Sequence, residues 1–398
     1  MNIDQYIQQY RSNLLDDVIP FWTDHSIDEV YGGYFTCLDT NGKVYDTDKF
    51  IWLQCRQVWC FAMLYNQVEQ RTDWLEIAEK GARFLMKHGR DEKGHWYFSL
   101  NREGQPLVQP YNIFSDCFAA MAFGQLYKAT GNADYNEVAV QSFEIILQRK
   151  DNPKGPYLKA VSGTCPMKGF SLPMILSNLV LEIEDSLSPE LVEATIHTAI
   201  EEVMNVFLDK ESGLLLENVG PAGERIDNFD GRLINPGHGL EAMWFMMELG
   251  VRRKDQQLIQ KAKDTALKVL EYGWDKQYGG IFYFLDRKGH PTQQLEWDQK
   301  LWWVHAETLV CMLKGFLLTG DKACWTWFEK VHDYTWKHFP DPQHGEWFGY
   351  LNRRGEVLLP LKGGKWKGCF HVPRSLYQCW KTLDAIKETY SQPLELIL

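Results

Sequence analysis

Some stretches of the chain are apolar around almost their whole circumference and others along one stripe only, and the two kinds alternate. The first kind is "FIWLQCRQVWCFAMLYNQV", "IFSDCFAAMAFGQLYKATG", "FSLPMILSNLVLEI", "GLEAMWFMMELGV", "KLWWVHAETLVCMLKGFLLTG" and "CFHVPRSLYQCWKTLDAI". Helices with this pattern are buried. The second kind includes "DWLEIAEKGARFLMKHG" and "QQLIQKAKDTALKVLEYG", whose apolar positions recur at helical spacing on one face. The latter ends in Tyr-Gly, a reasonable helix stop.

Between these helices lies a recurring turn. "YFTCLDTNG", "WYFSLNREG", "FYFLDRKG" and "WFGYLNRRG" each run from aromatic residues through Leu and Asp or Asn to Gly. Such a run predicts a β-hairpin, with Gly supplying a positive φ. Weaker copies, "LLLENVGPAGERI" and "VSGTCPMKG", complete the set at Gly42, Gly104, Gly163, Gly223, Gly289 and Gly355. The intervals are 62, 59, 60, 66 and 66 residues, which points to one repeated architecture. Six buried and six half-buried helices predict an all-α (α/α)6 barrel, six inner helices ringed by six outer ones, with short β-hairpins at one mouth. Residues 1–398 then form a single domain. An open solenoid of helix pairs is the alternative, and the sealed inner set favours closure.

Composition changes this picture little. The chain is 45% hydrophobic and 24% charged, with 16 Trp, which suits a large core or a sugar-facing cleft. A net charge of −11 without any basic block argues against nucleic-acid binding. No signal peptide and no membrane-spanning run is read from the sequence. Nine scattered cysteines, Cys165 among them, lack a CxxC pair and read as small core residues of a reduced, cytoplasmic protein.

Candidate chemistry gathers in phase. Counted from its turn glycine, Arg56 lies 14 residues on, His238 15, His305 16 and His371 16, with Glu307 and Arg374 slightly deeper. Equivalent positions on repeated inner helices share one mouth, and charges on the most buried elements are a functional signal. His238 shares a helix face with Glu241, His371 with Arg374, and Arg56 with Trp59. His305 and Glu307 point about 200° apart, so only one faces the axis. Glu307, on the same face as Trp303, is taken as inward. A lone buried histidine is more often a satisfied core residue, and His305 carries that reading beside one as a substrate contact. His238 and His371 in phase across two repeats read as functional, with Glu241 and Arg374 as partners that hold them or as site residues themselves. Trp302, Trp303 and Trp366 suit either barrel packing or platforms for sugar rings. His25, His88, His95, His197, His290, His332, His338 and His344 are assigned to the surface. No metal site is expected, since HExxH and cysteine clusters are lacking. Nor does a GxSxG elbow occur.

"WLQCRQVW", "NPGHGLEAMWF", "KLWWVHAETLV" and "KGCFHVPRSLYQCW", in that order over nearly the full chain, resemble the N-acylglucosamine 2-epimerase family. The resemblance implies an (α/α)6 barrel and interconversion of N-acetylglucosamine and N-acetylmannosamine. It implies His238 and His371 as the acid/base pair, with Arg56, Glu241, Glu307 and Arg374 at the site. Arg56 is placed at the developing oxyanion, Glu241 as the residue orienting His238, and Glu307 at hydroxyls or ring opening. Trp59, Trp303, Trp366, His305 and Lys159 are read as substrate contacts. "FSLPMILSNLVLEI" lacks the His that cellobiose 2-epimerases usually carry there, which favours the acylaminosugar branch. "RKDNPKGPYLK" resembles a loop tied to nucleotide stimulation, making Lys150, Asn152, Lys154 and Gly155 candidates for contact with ATP as an activator. A homodimer is implied too. An aldose–ketose isomerase, a cellobiose or mannose 2-epimerase, a glycoside hydrolase and a non-catalytic binding protein are the competing readings.

Overall fold

Thirteen of the 17 residues of α3 (Ile51–Gln67) are buried, against seven of 17 in α4 (Thr72–His88). The same contrast repeats around the chain and sorts the helices into two rings. The inner ring is α3, α5 (Phe114–Thr130), α7 (Ser171–Glu182), α9 (Pro236–Arg253), α11 (Trp302–Thr319) and α13 (His371–Thr389). The outer ring holds α4, α6 (Ala133–Arg149), α8 (Pro189–Glu201), α10 (Gln256–Gly273) and α12 (Lys322–His338). Its sixth member is the N-terminal helix, α1 (Ile3–Ser12) running through a π turn into α2 (Ile19–His25). The arrangement is the predicted six-on-six toroid. This computed structural model describes residues 2–390 except 160, 162 and 165, so Cys165 lies outside the described residues.

The ring is closed by its two ends. α1 packs on α13, and Cys369, just before α13, sets its thiol 3.7 Å from that of Cys60 on α3. The eight described cysteines are free and buried.

All six turn glycines have positive φ, from 77° to 95°. The hairpin expectation needs correction in part. β2 (Ser99–Leu100) and β3 (Pro106–Val108) form a hairpin at Gly104, as do β9 (Tyr350–Leu351) and β10 (Val357–Leu359) at Gly355. At Gly42 the two arms meet in a single antiparallel bridge, Leu38 to Val44, and the remaining strand pairs join different repeats. β1 (Lys49–Phe50) pairs with β2, β4 (Lys168–Gly169) with β5 (Asn218–Val219), β6 (Leu233–Ile234) with β7 (Leu285–Asp286), and β8 (Lys300–Leu301) with β9. In each pair, the strand entering an inner helix is held by the turn segment of the following repeat. That pairing brings those helix N-termini to a common level.

A second repeated turn, unread in the sequence, follows every outer helix: Asp28–Gly32, Asp91–Gly94, Asp151–Gly155, Asp209–Gly213, Asp275–Gly279 and Asp341–Gly345, each Gly at positive φ. Three of its aspartates are clamped by an arginine two residues before the next repeat's turn glycine. The pairs are Arg102–Asp28 at 3.0 Å, Arg287–Asp209 at 3.2 Å and Arg353–Asp275 at 2.9 Å. Buried Lys49 and Lys300 add a second cation to Asp28 and Asp275.

Histidines assigned to the surface prove mixed. His332 is buried, accepting or donating at Nδ1 toward the Tyr10 hydroxyl at 2.9 Å, because α12 turns that face to α1. His88 and His338 close α4 and α12, and their rings lie where a Cβ on Gly104 or Gly355 would fall. The left-handed turn and the ring beneath it both require glycine there.

Candidate active site

Asn235 caps α9, its side chain accepting from the His238 amide, and Pro236 occupies the first helical position. Gly237 follows because a Cβ there would stand 2.7 Å from the Trp303 ring. The loop chemistry before His238 therefore starts the helix and lets the Trp303 indole come in close. The His238 ring lies 5.2 Å from that of Trp303, centroid to centroid, and the His371 ring lies 5.7 Å from it. One indole from the fifth repeat thus carries imidazoles from the fourth and sixth.

The two imidazoles sit in opposite electrostatic settings. His238 Nδ1 is 3.0 Å from each oxygen of the Glu217 carboxylate. Burial pulls its pKa down, but the charge and hydrogen bond of Glu217 outweigh burial and leave it raised. His371 is driven well below the ordinary value, by burial first and then by the Arg56 charge. Its place at the first residue of α13, the positive end of the helix, also disfavours an imidazolium. His371 Nδ1 lies 2.8 Å from Glu307 Oε1. A carboxylate only accepts, so Nδ1 carries the hydrogen in both rings. The Nε2 of His371 is then a free base and that of His238 an acid. Paired groups with divergent pKa values mark an acid and a base.

Glu307 is held from several sides. It accepts from Arg374 at 2.8 Å, from Trp244 Nε1 at 3.0 Å and from Ser375 at 3.3 Å. Arg374 also donates to Glu241. One assignment is corrected: Glu217, not Glu241, orients His238. Glu307 fixes the His371 tautomer. Glu217 was missed because it lies in a strand run of a weak repeat copy, "LLLENVG". Among the described residues Glu241, Glu307 and His371 bring one ligand atom each within 4.8 Å, a spacing that suits a cation. The guanidinium of Arg374 already bridges both carboxylates and supplies that charge.

Arg56 stands in an aromatic box, its guanidinium carbon 4.4 Å from the Trp52 ring centre, 4.0 Å from Phe118 and 4.7 Å from Phe370. Burial pushes its pKa down to about 9. Trp366, half exposed, meets Trp52 edge-on at 5.6 Å on the rim of this box.

The other candidates have contacts of their own. His305 is fully buried; Nδ1 donates to the Leu301 carbonyl and Nε2 accepts from the Ile281 amide. It buttresses the turn after α10, and Glu307 is the inward residue of that pair. Trp59 gives its Nε1 hydrogen to Glu182 and packs on Phe370. Lys159 is exposed. Asn152, Lys154 and Gly155 lie in the third copy of the Asp-to-Gly turn, with Lys150 just before it at the end of α6, and the Gly155 amide donates to the Asn152 carbonyl.

The N-acylglucosamine 2-epimerase (GlcNAc 2-epimerase) family profile matches residues 33–373. An N-acylglucosamine 2-epimerase of Mus musculus is 40% identical, covering 94% of this chain and 90% of its own. One from Homo sapiens is 38% identical, covering 94% and 89%. Among solved structures, cellobiose 2-epimerase from Bacillus thermoamylovorans superposes with a TM-score of 0.83 at 20% identity, over 95% of this chain and 99% of that one. A family 76 glycoside hydrolase shares the fold more loosely, with a TM-score of 0.66 at 10% identity over 96% of this chain and 79% of that one.

Proposed function

The chain belongs to the N-acylglucosamine 2-epimerase family, and on that premise we propose that it interconverts N-acetylglucosamine and N-acetylmannosamine by moving the C2 proton between two histidines. The observation that carries this is the opposed bias of His371 and His238 against one indole. Once the sugar ring opens, the C1 aldehyde acidifies the C2 hydrogen. His371 Nε2 removes it, giving an enediolate with charge on O1, and Arg56 is the cation placed for that charge. His238 Nε2 delivers a proton to the other face of C2, which inverts it. A single base would return the proton to the face it left. In the reverse direction the two histidines exchange roles. Trp303 and the Arg56 aromatic box keep water from the intermediate.

A glycoside hydrolase needs two carboxylates free to flank a bond. Here Glu241 and Glu307 are bound to one guanidinium, and the two histidines against the Trp303 indole have no task in that reaction. The proposal extends to a homodimer and to ATP as an activator, which rest on the family resemblance, and to a cytoplasmic location, which rests on the scattered, unpaired cysteines. Among the described residues no helix is long and apolar enough to cross a membrane.

Incubation with N-acetylmannosamine in deuterated water, followed by NMR with and without ATP, tests the reading. Deuterium should appear at C2 of N-acetylglucosamine. Unlabelled product, a ketose, or no turnover overturns it.

A further inference from the structure

Among the described residues, the buried cations Lys49, Lys300, Lys367 and Arg374 each meet a carboxylate oxygen within 3.2 Å. Arg56 is the exception. It is 7% exposed, its described contacts are the three aromatic rings, and its Nε has no hydrogen-bond partner. A buried charge without a counter-ion is strongly destabilising, so an anion that reaches it relieves a cost the folded chain already bears. The nearby carboxylates are engaged elsewhere: Glu241 and Glu307 both turn to Arg374, and Glu307 also to His371, Trp244 and Ser375.

We propose that the Arg56 box is an anion site for a planar, two-oxygen C1, and that the enzyme therefore binds open-chain 2-acetamido sugar acids in place of its substrate. In such an aldonate a carboxylate replaces the C1 aldehyde. It offers two coplanar oxygens with one negative charge, the arrangement that a guanidinium fork matches. It is also acyclic, so it enters without ring opening. The matching alditol carries the same chain and acetamide with a neutral CH2OH at C1. The inference rests on the assignment of N-acetylhexosamines as substrates, and the two can fail separately.

The test is calorimetric titration of the wild-type protein with 2-acetamido-2-deoxy-gluconate and with 2-acetamido-2-deoxy-glucitol, repeated on Arg56→Gln and Arg56→Lys. The aldonate should bind wild type at least tenfold more tightly than the alditol and compete with N-acetylmannosamine. Arg56→Gln should lose that advantage while its alditol affinity stays within a few-fold, and Arg56→Lys should keep part of it. Equal wild-type affinity for the two ligands overturns the anion site and leaves the substrate assignment standing. An advantage retained in Arg56→Gln overturns it as well. If neither ligand binds, both the site and the substrate class are lost. The wild-type comparison decides the matter even if the variants fail to fold.

Discussion

His238 and Glu217 are 21 residues apart, on different segments of the fourth repeat, and the histidine's Nδ1 is equidistant at 3.0 Å from both carboxylate oxygens. This contact raises the His238 pKa against the effect of burial. Glu217→Gln keeps the hydrogen-bonding shape and removes the charge. The pH limb at which activity falls as His238 loses its proton should shift to lower pH, with kcat reduced more than KM. An unshifted limb would mean that Glu217 only packs against the ring.

Removing either imidazole should stop chemistry without unfolding the protein. His238→Ala and His371→Ala should each lower the rate of C2 exchange in deuterated water by about 10²–10⁴-fold, the range that general acid–base groups supply. Circular dichroism should match wild type. Near-normal exchange in either variant removes that histidine from the proton path.

Asp275 accepts from two cations, Lys300 at 3.2 Å and Arg353 at 2.9 Å. Asp275→Asn leaves Lys300, which is wholly buried, without a counter-charge, and should cost about 3–5 kcal/mol in chemical denaturation. Arg353→Ala leaves the Lys300 pair intact and should cost less. Equal losses would show that the inter-repeat clamp, not the buried lysine, sets the stability.

Burial holds His305 and His332 neutral, with pKa values pushed down to about 3. A folded value below the unfolded one near 6.5 means the unfolded chain binds more protons as pH falls. Stability is therefore full above about pH 6.5 and declines below it, by about 1 kcal/mol per pH unit for each histidine. His332→Asn, whose amide can still meet the Tyr10 hydroxyl, should flatten the decline between pH 6.5 and 5. An unchanged slope would assign the acid sensitivity to other groups.

Much of the toroid was legible because buried and half-buried helices differ in how far their apolar residues wrap, and that difference repeats six times. The phase of His238 and His371 was legible for the same reason: equivalent positions on equivalent helices face one axis. Helical spacing also ruled correctly between His305 and Glu307. What the spacing could not reach was any partner from another segment. Glu217 comes from a strand run whose register is set by pairing with β4, so nothing local ties it to His238. The Asp-to-Gly turns and the arginine clamps do have a sequence signature. Their meaning emerges only when the arginine of one repeat is placed beside the aspartate of the one before, 74 to 78 residues away.

Because α1 lies along α13, with Asp4 and Lys387 paired at 2.6 Å, the architecture has no privileged starting point. A circular permutant that links α13 to α1 and opens at Gly131, the exposed left-handed cap between α5 and α6, would keep the packing of each helix on its neighbours. Its active site would come from segments delivered in a new order, and this ring geometry is indifferent to order.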